Sequence, residues 1–380
     1  MKIKNDFLEF YGKHGISPVR QDINDLKLHY ERRKKLYRQC GIPVLAFMNA
    51  DLLEIGPGGG INTLAFFHWG CKHADLVEAN PKGLEDMQLL FDEQNISKDT
   101  YKIIPCTIEN YDTDKKYDII IAEGFLHFLP NQQMIIDKIK SLLRKDGIAV
   151  VTCVDNASLY IEVMKRLIGQ ALAKDIPAYD DKVEYLSKIY EPQLAKLRGV
   201  SRMPKDWVQD MILNPATSNN IVLDMAQAIA YFEPEFDVLG SSPRMFTDYS
   251  WYKDIWYDYI ADYKQQFEEK RLSLLLYGMP EAAVSQKEGR ELMLHFECIR
   301  KLAADYEENF HAADLEEILR HMQEMEVYLH RFSQDFHDVF HEIRDALFKI
   351  LQTGTAHMDD YPHFFSAFGR GQQYMAFVKK

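Results

Sequence analysis

No stretch of this 380-residue chain holds the roughly 18 consecutive apolar residues that a bilayer-spanning helix needs, so no membrane segment is expected. The first residues, Met1 to Phe10, lack the apolar core of a secretory leader. Cysteine is scarce. Cys40, Cys71, Cys106, Cys153 and Cys298 are odd in number, widely spaced and never in a CxxC pair. A disulfide framework, a zinc ribbon and an iron–sulfur cluster are therefore disfavoured, and the expected setting is reducing cytoplasm. Positive charge is also in deficit, with 45 Lys+Arg against 58 Asp+Glu and a net charge of −13. A general binder of nucleic acid or anionic membrane would need the opposite balance. Internal repeats and low-complexity tracts are missing.

What is present is an ordinary globular composition, 47% hydrophobic and 27% charged, long enough for one large domain or two smaller ones. Residues 1–48 read as a helical lead-in. Within it, Asp22 to Gln39 carries an apolar stripe of Leu26, Leu28, Leu36 and Tyr37. From Asp51 short apolar runs (51–55, 74–78, 101–105, 117–122 and 147–154) alternate with helix-like stretches at 60–69, 82–94 and 130–144. That alternation implies a parallel sheet covered on both faces. It then stops. Residues 156–232 read as helical with breaks near Pro177, Pro192, Pro204 and Pro215, and 250–352 as almost wholly helical. Two further strands, Phe236–Gly240 and Gln372–Val378, are placed as returns to the first sheet. The expected divisions are 1–48 lead-in or lid, 49–155 core, 156–232 helical insertion, 233–249 core strand and loop, 250–370 helical cap and 371–380 final strand. The cap is expected over the carboxyl ends of the strands.

The most informative segment is Leu52 to Asn62, an apolar strand running into Gly56, Gly58, Gly59 and Gly60 and then a helix. Glycine suits sharp turns with positive φ and close ligand approach, and the helix start beyond offers free N–H groups. A dinucleotide fold wants GxGxxG, but counting from Gly56 the third glycine position holds Ile61. The pattern is instead acid-x-Gly-x-Gly-x-Gly, with Glu54 as the acid. Leu76-Val-Glu-Ala-Asn80 ends the second strand in a carboxylate, Glu78, that can accept both hydroxyls of a ribose.

These residues resemble class I S-adenosylmethionine-dependent methyltransferases. The resemblance covers residues 45–155 and implies an α/β fold: a Rossmann-like seven-stranded sheet, here with the helical lead-in and large helical insertions added. It implies S-adenosyl-L-methionine as cofactor. Gly56, Pro57, Gly58, Gly60 and Asn62 would wrap its methionine part, with Glu54 fixing the loop and the amino group. Glu78 would bind the ribose, beside Ala79 and Asn80. Pro105 to Glu109 would face adenine, with Thr107 at the usual acid position and Ile108 as the apolar face. Glu123 and Gly124, after the fourth strand, would face the reaction centre, and His127 and Glu123 are the catalytic candidates.

Methyl transfer needs an aligned nucleophile and a partly dry site. The lead-in loop Tyr11–Arg20 is the lid candidate, with Tyr11 and His14 toward the acceptor and Pro18 shaping it. Arg244 and Tyr252, after the sixth strand, are the other acceptor candidates. His337 and His341 have metal-compatible spacing, but residues 281–350 carry 16 acids against eight bases, as a solvated face does, and no metal is expected. That acidic segment also argues against nucleic acid as partner. The leading expectation is methylation of a small-molecule or sugar-like acceptor. A nicotinamide-dependent oxidoreductase or epimerase, and a non-catalytic scaffold, are the competing readings.

Overall fold

The alternating runs form strands in the computed structural model, which describes residues 6–16, 23–197, 202–218, 221–253, 262–279 and 284–380. Pro18 and Arg20 lie outside these residues. The strands are β1 (Asp51–Ile55), β2 (His73–Val77), β3 (Tyr101–Ile104), β4 (Tyr117–Ala122), β5 (Leu143–Cys153), β6 (Phe236–Ser242) and β7 (Gln373–Lys379). They make one sheet in the order β3-β2-β1-β4-β5-β7-β6. The first five run parallel, and β7 is antiparallel to both neighbours, with Val150 opposite Ala376. β1 is buried at every residue, as expected of a central parallel strand. The order reverses between β1 and β4, where open α/β sheets place their ligands, outside the carboxyl ends of the strands.

The chain divides into two compact units. The first holds the sheet, residues up to Val154, Ile221–Glu268 and Gln372–Lys380. The helix Met225–Phe232 belongs to it: Phe232 stacks on Phe377 of β7 at 4.0 Å between ring centroids. Pro81 opens the helix Pro81–Glu93, and Asn80 caps it by accepting from the N–H groups of Lys82 and Gly83. Such a cap contributes about 1 kcal/mol.

The helix Leu26–Gln39 departs from the expected pattern. Its buried residues are His29, Arg33 and Tyr37, while Leu28 is exposed and Leu26 and Leu36 are half-buried. Of the expected stripe only Tyr37 is buried. The inward face is polar at i, i+4 spacing because it meets polar groups at the carboxyl ends of the strands.

Among the described residues, the second unit, Asp155–Asn220 and Glu269–Gly371, is helical wherever it is regular. From Leu315 to Leu347 an apolar residue recurs every three or four positions, and these residues are buried except at Phe332, which is half-buried. The pattern runs along two helices, Ala312–Met325 and Gln334–Thr353, separated by a 3₁₀ turn at Glu326–Arg331. They share a core with Asn156–Leu172 and Gln286–Asn309, through Ile161, Ile168, Phe296 and Ile299. Pro192 does not break its helix, Tyr179–Leu194. It sits in the last turn, so the one bond that its missing N–H removes, to the Lys188 carbonyl, is near the helix end. Arg166 is buried and fully used, donating to both oxygens of Glu307 and to the carbonyls of Asn214 and Met211.

Candidate functional site

β1 ends in a loop that turns three times through positive φ, at Gly56 (+69°), Gly58 (+57°) and Gly60 (+77°). At Gly60 the reason is steric as well. A Cβ there would lie 2.7 Å from Met87 Cγ and 2.9 Å from the Phe91 ring. Gly83 contributes a close approach that the sequence pattern did not single out. Its added Cβ would stand 3.2 Å from the Gly58 carbonyl, so the first turn of Pro81–Glu93 presses backbone to backbone on the loop. The Gly56 N–H donates to the Val77 carbonyl at 2.8 Å, fixing the loop to the end of β2.

Glu78 completes that attachment. One carboxylate oxygen accepts from the Gly58 N–H and the other from the Asn80 N–H, both at 2.7 Å. Burial pushes this carboxyl above its ordinary range, and the backbone donors of Asn80, Gly58 and Ala79 oppose the shift. Two accepted bonds leave a carboxylate further lone pairs for a ligand diol. Glu54 is also buried and accepts from Thr63 Oγ1 at 2.6 Å. Desolvation pushes it up to about 8, the charges of Glu123 and Glu78 add to this, and Thr63 and Arg33 oppose it.

Glu123, at the end of β4, is held by the lead-in helix. Arg33 Nη2 donates to its two oxygens at 2.7 and 2.8 Å, and the Tyr37 hydroxyl donates at 2.6 Å. Both side chains are almost fully buried, at 7% and 8% exposure. The carboxylate is thus committed to an ion pair, which is not the open position a catalytic acid or base would need. Arg33 went unread in the sequence, because a buried Arg in a charged helix looks like a solvated face, and Tyr37 was read only as part of an apolar stripe. The one signal was the i, i+4, i+8 spacing of His29, Arg33 and Tyr37. His29 lies against the backbone of Ile61, and burial lowers its pKa to about 4, with Arg33 adding to the shift. Arg33 Nε and His29 Nε2 are buried without a hydrogen-bond partner.

The loop after β4 is fixed by Thr152, whose hydroxyl accepts from the Gly124 N–H at 3.0 Å and lies 3.1 Å from His127 Nδ1. His127 is buried, with its ring edge-on to Phe128. Gly124 has φ +86° with open space around an added Cβ, which fits a surface a ligand covers. Ile108 is buried, and Thr107 Oγ1 accepts from Asn110 Nδ2.

Tyr11 and His14, expected in a loop, lie in the helix Asp6–His14, which contacts the loop after β4, and the chain just beyond it reaches Asn80. Phe7 meets Phe128 at 6.3 Å between ring centroids, and Asn80 Nδ2 donates to the Ile16 carbonyl at 3.2 Å. Tyr11 is buried beside Phe7 and Phe10, and His14 packs on Phe10 at 4.9 Å. The other two acceptor candidates sit apart from this cluster of contacts. Arg244 is exposed and donates to the Arg38 carbonyl, and Tyr252 is 76% exposed against Trp251. His337 is bound by the Leu329 carbonyl at 2.5 Å from Nε2.

Glu123 is paired with Arg33, Glu54 lies within electrostatic reach of both, and Glu78 stands on the backbone of the loop. Among known proteins, residues 29–189 match the family model described as "Methyltransferase domain". The chain is 24% identical over 167 residues to a ubiquinone biosynthesis O-methyltransferase of Rickettsia akari, covering 42% of this chain and 60% of that protein. A protein of the same name from Rickettsia typhi is 25% identical over 149 residues, 39% of this chain and 53% of that one. The chain thus spans less than two thirds of the length of these relatives. Of solved structures, it resembles the N-methyltransferase NodS of Bradyrhizobium japonicum in complex with S-adenosyl-l-homocysteine, at 19% identity and a TM-score of 0.32, over 39% of this chain and 75% of that one. It also resembles a putative S-adenosylmethionine-dependent methyltransferase of Listeria monocytogenes, at 16% identity and a TM-score of 0.28, over 34% and 55%. The β3-β2-β1-β4-β5-β7-β6 sheet and the acid-led glycine loop agree with the family match, and residues 29–189 carry a Rossmann-like methyltransferase domain of the S-adenosyl-L-methionine-dependent kind.

Proposed function

We propose that the chain moves the methyl group of S-adenosylmethionine to a small-molecule or sugar-like acceptor by in-line displacement. The observation that carries this reading is Glu78. It is buried, anchored to Gly58 of the loop and to Asn80, and keeps lone pairs for a ribose diol. The cofactor supplies a sulfonium-bound methyl that any aligned nucleophile can take. The loop Gly56–Gly60 would hold its methionine part, with Glu54 toward its ammonium. The unpartnered Arg33 Nε is a donor for its carboxylate. Thr107 and Ile108 would take the adenine side.

The remaining residues orient and shield. Arg33 and Tyr37 hold Glu123 still, which fixes the end of β4. Thr152 and His127 hold the loop beyond it, and we assign His127 to that role before any proton transfer. Tyr11 and His14 belong to the helix Asp6–His14, which limits water on the cofactor side. Arg244 and Tyr252 stay as acceptor contacts in this reading. The names of the Rickettsia relatives supply an oxygen of a small molecule as the acceptor class. Ile61, where a dinucleotide loop has glycine, speaks against a nicotinamide cofactor. No described helix is long and apolar enough to cross a membrane.

Calorimetry with S-adenosylmethionine, S-adenosylhomocysteine, NAD and NADP tests the cofactor. Transfer of a labelled methyl into a metabolite extract tests the acceptor. Label appearing only in macromolecules, or dinucleotide binding without sulfonium binding, would overturn the proposal.

A further inference from the structure

Within the second unit, the helices Gln286–Asn309 and Ala312–Met325 bring together three side chains of metal-ligating type. His295 Nδ1 and His321 Nδ1 are 2.9 Å apart, and Glu324 Oε2 lies 3.9 Å from His295 Nδ1. The three ligating atoms all lie within 4.8 Å of one another. The imidazoles are mostly covered, at 18% and 13% exposure, while Glu324 is open to solvent at 47%. We propose that His295, His321 and Glu324 bind a divalent transition ion of the zinc class.

Two ring nitrogens at 2.9 Å require one ring to donate to the other. Arg320 Nη2 lies 3.3 Å from His321 Nε2, which makes that nitrogen the acceptor. The shared proton therefore sits on His321 Nδ1. Burial lowers the pKa of both rings, and His321 and Arg320 respectively add to the shift. A ring nitrogen binds a metal through its lone pair, so the bridging proton must leave His321 Nδ1. An ion with bonds of about 2.0–2.1 Å in a tetrahedron needs its nitrogens roughly 3.3 Å apart, so the pair must open by only about 0.4 Å. The displaced proton moves to His321 Nε2, where the Arg320 Nη2 contact must part, and Glu317 Oε1, 3.9 Å away, is the carboxylate that can accept in its place. Glu324 keeps its Oε1 contact with Arg320 while Oε2 turns to the ion. Two imidazoles and one carboxylate favour zinc, copper or nickel over magnesium or calcium, and water fills the open position.

The groups facing the two rings from both helices are Glu291, Glu317, Arg320 and Glu324, so the surroundings are net acidic. The ion would clip the two helices across their connection at Phe310. Sequence spacing pointed at His337 and His341 because i, i+4 pairs are visible within one helix. A pair 26 residues apart becomes a site only when the helices pack.

The test uses the full chain, stripped with chelator and titrated with zinc chloride alone. The expected result is one equivalent bound, with affinity lowered at least ~10-fold by His295→Ala or His321→Ala, less by Glu324→Gln, and unchanged by His330→Ala. Cobalt(II) should give visible absorption bands with the wild-type chain that His321→Ala removes. No stoichiometric zinc and no cobalt bands overturn the proposal. Equal affinity in correctly folded His295→Ala and His321→Ala variants does the same.

Discussion

Replacing Arg33 by Met removes the guanidinium that neutralises Glu123 and leaves a carboxylate buried at the end of β4. Its remaining partner is the Tyr37 hydroxyl, 2.6 Å from Oε1. Glu54, whose pKa the Glu123 charge helps to raise, stands close enough to feel the unpaired carboxylate. Breaking a buried pair on one side costs about 3–5 kcal/mol, because the desolvation of the survivor is no longer offset. Removing both partners, as in Arg33→Met with Glu123→Leu, takes away the charge as well as its counterion. The same principle puts that double variant near neutral, or within about 2 kcal/mol of wild type. The double variant should thus be more stable than the single one. Native-state hydrogen exchange of the slowest β1 and β4 amides reads the first unit by itself. Those amides should lose protection by about 3–5 kcal/mol in Arg33→Met and recover most of it in the double variant. A single variant costing under about 1 kcal/mol would mean that the pair is worth no more than a surface one. Costs that simply add would mean that the two residues do not act on each other. Either outcome refutes the ion-pair argument.

Further expectations concern the loop and its acids. Glu78→Ala should weaken S-adenosylhomocysteine binding by about 1–3 kcal/mol, measured by calorimetry on a variant with unchanged circular dichroism. Unchanged affinity would remove the ribose assignment. Gly60→Ala should destabilise the first unit more than Gly124→Ala in urea denaturation. Both have positive φ, at about 1–2 kcal/mol for a residue with a Cβ, but only Gly60 adds an overlap with Met87. Glu54 has a raised pKa, so the native state holds a proton the unfolded chain releases above about pH 4.5. Its contribution to stability falls as pH rises toward 8. A cationic cofactor favours the ionised form, so its binding near pH 7 should release protons, as heats in buffers of different ionisation enthalpy would show. His29 titrates the other way. Its lowered pKa means that stability is lost as pH falls from about 6.5 toward 4, and His29→Gln should flatten that slope in acid denaturation curves.

The sheet and the glycine loop were legible in the sequence because their causes are local. β1 and β4 are unbroken apolar runs because a parallel strand is buried on both faces. The loop needs glycine where φ is positive, and Glu78 follows its strand directly. The return of β6 and β7 was legible too, from two apolar segments with no partners nearby in the chain. Tertiary structure decided what depends on distant residues meeting. Leu26, Leu28 and Leu36 suggested an apolar stripe, yet the helix buries His29 and Arg33, because a charge 90 residues away at Glu123 makes the polar face the better one to bury. Glu123 was read as a site acid, and only the fold shows that it is already paired. Gly83 reads as an ordinary helix glycine until Gly58 arrives 3.2 Å from the space its side chain would fill. The His295–His321 contact is likewise invisible to any periodicity. Backbone conformation, and the burial of a strand that is apolar throughout, are dictated by neighbours in sequence. Charge pairing and close approach are set by neighbours in space, which only packing supplies.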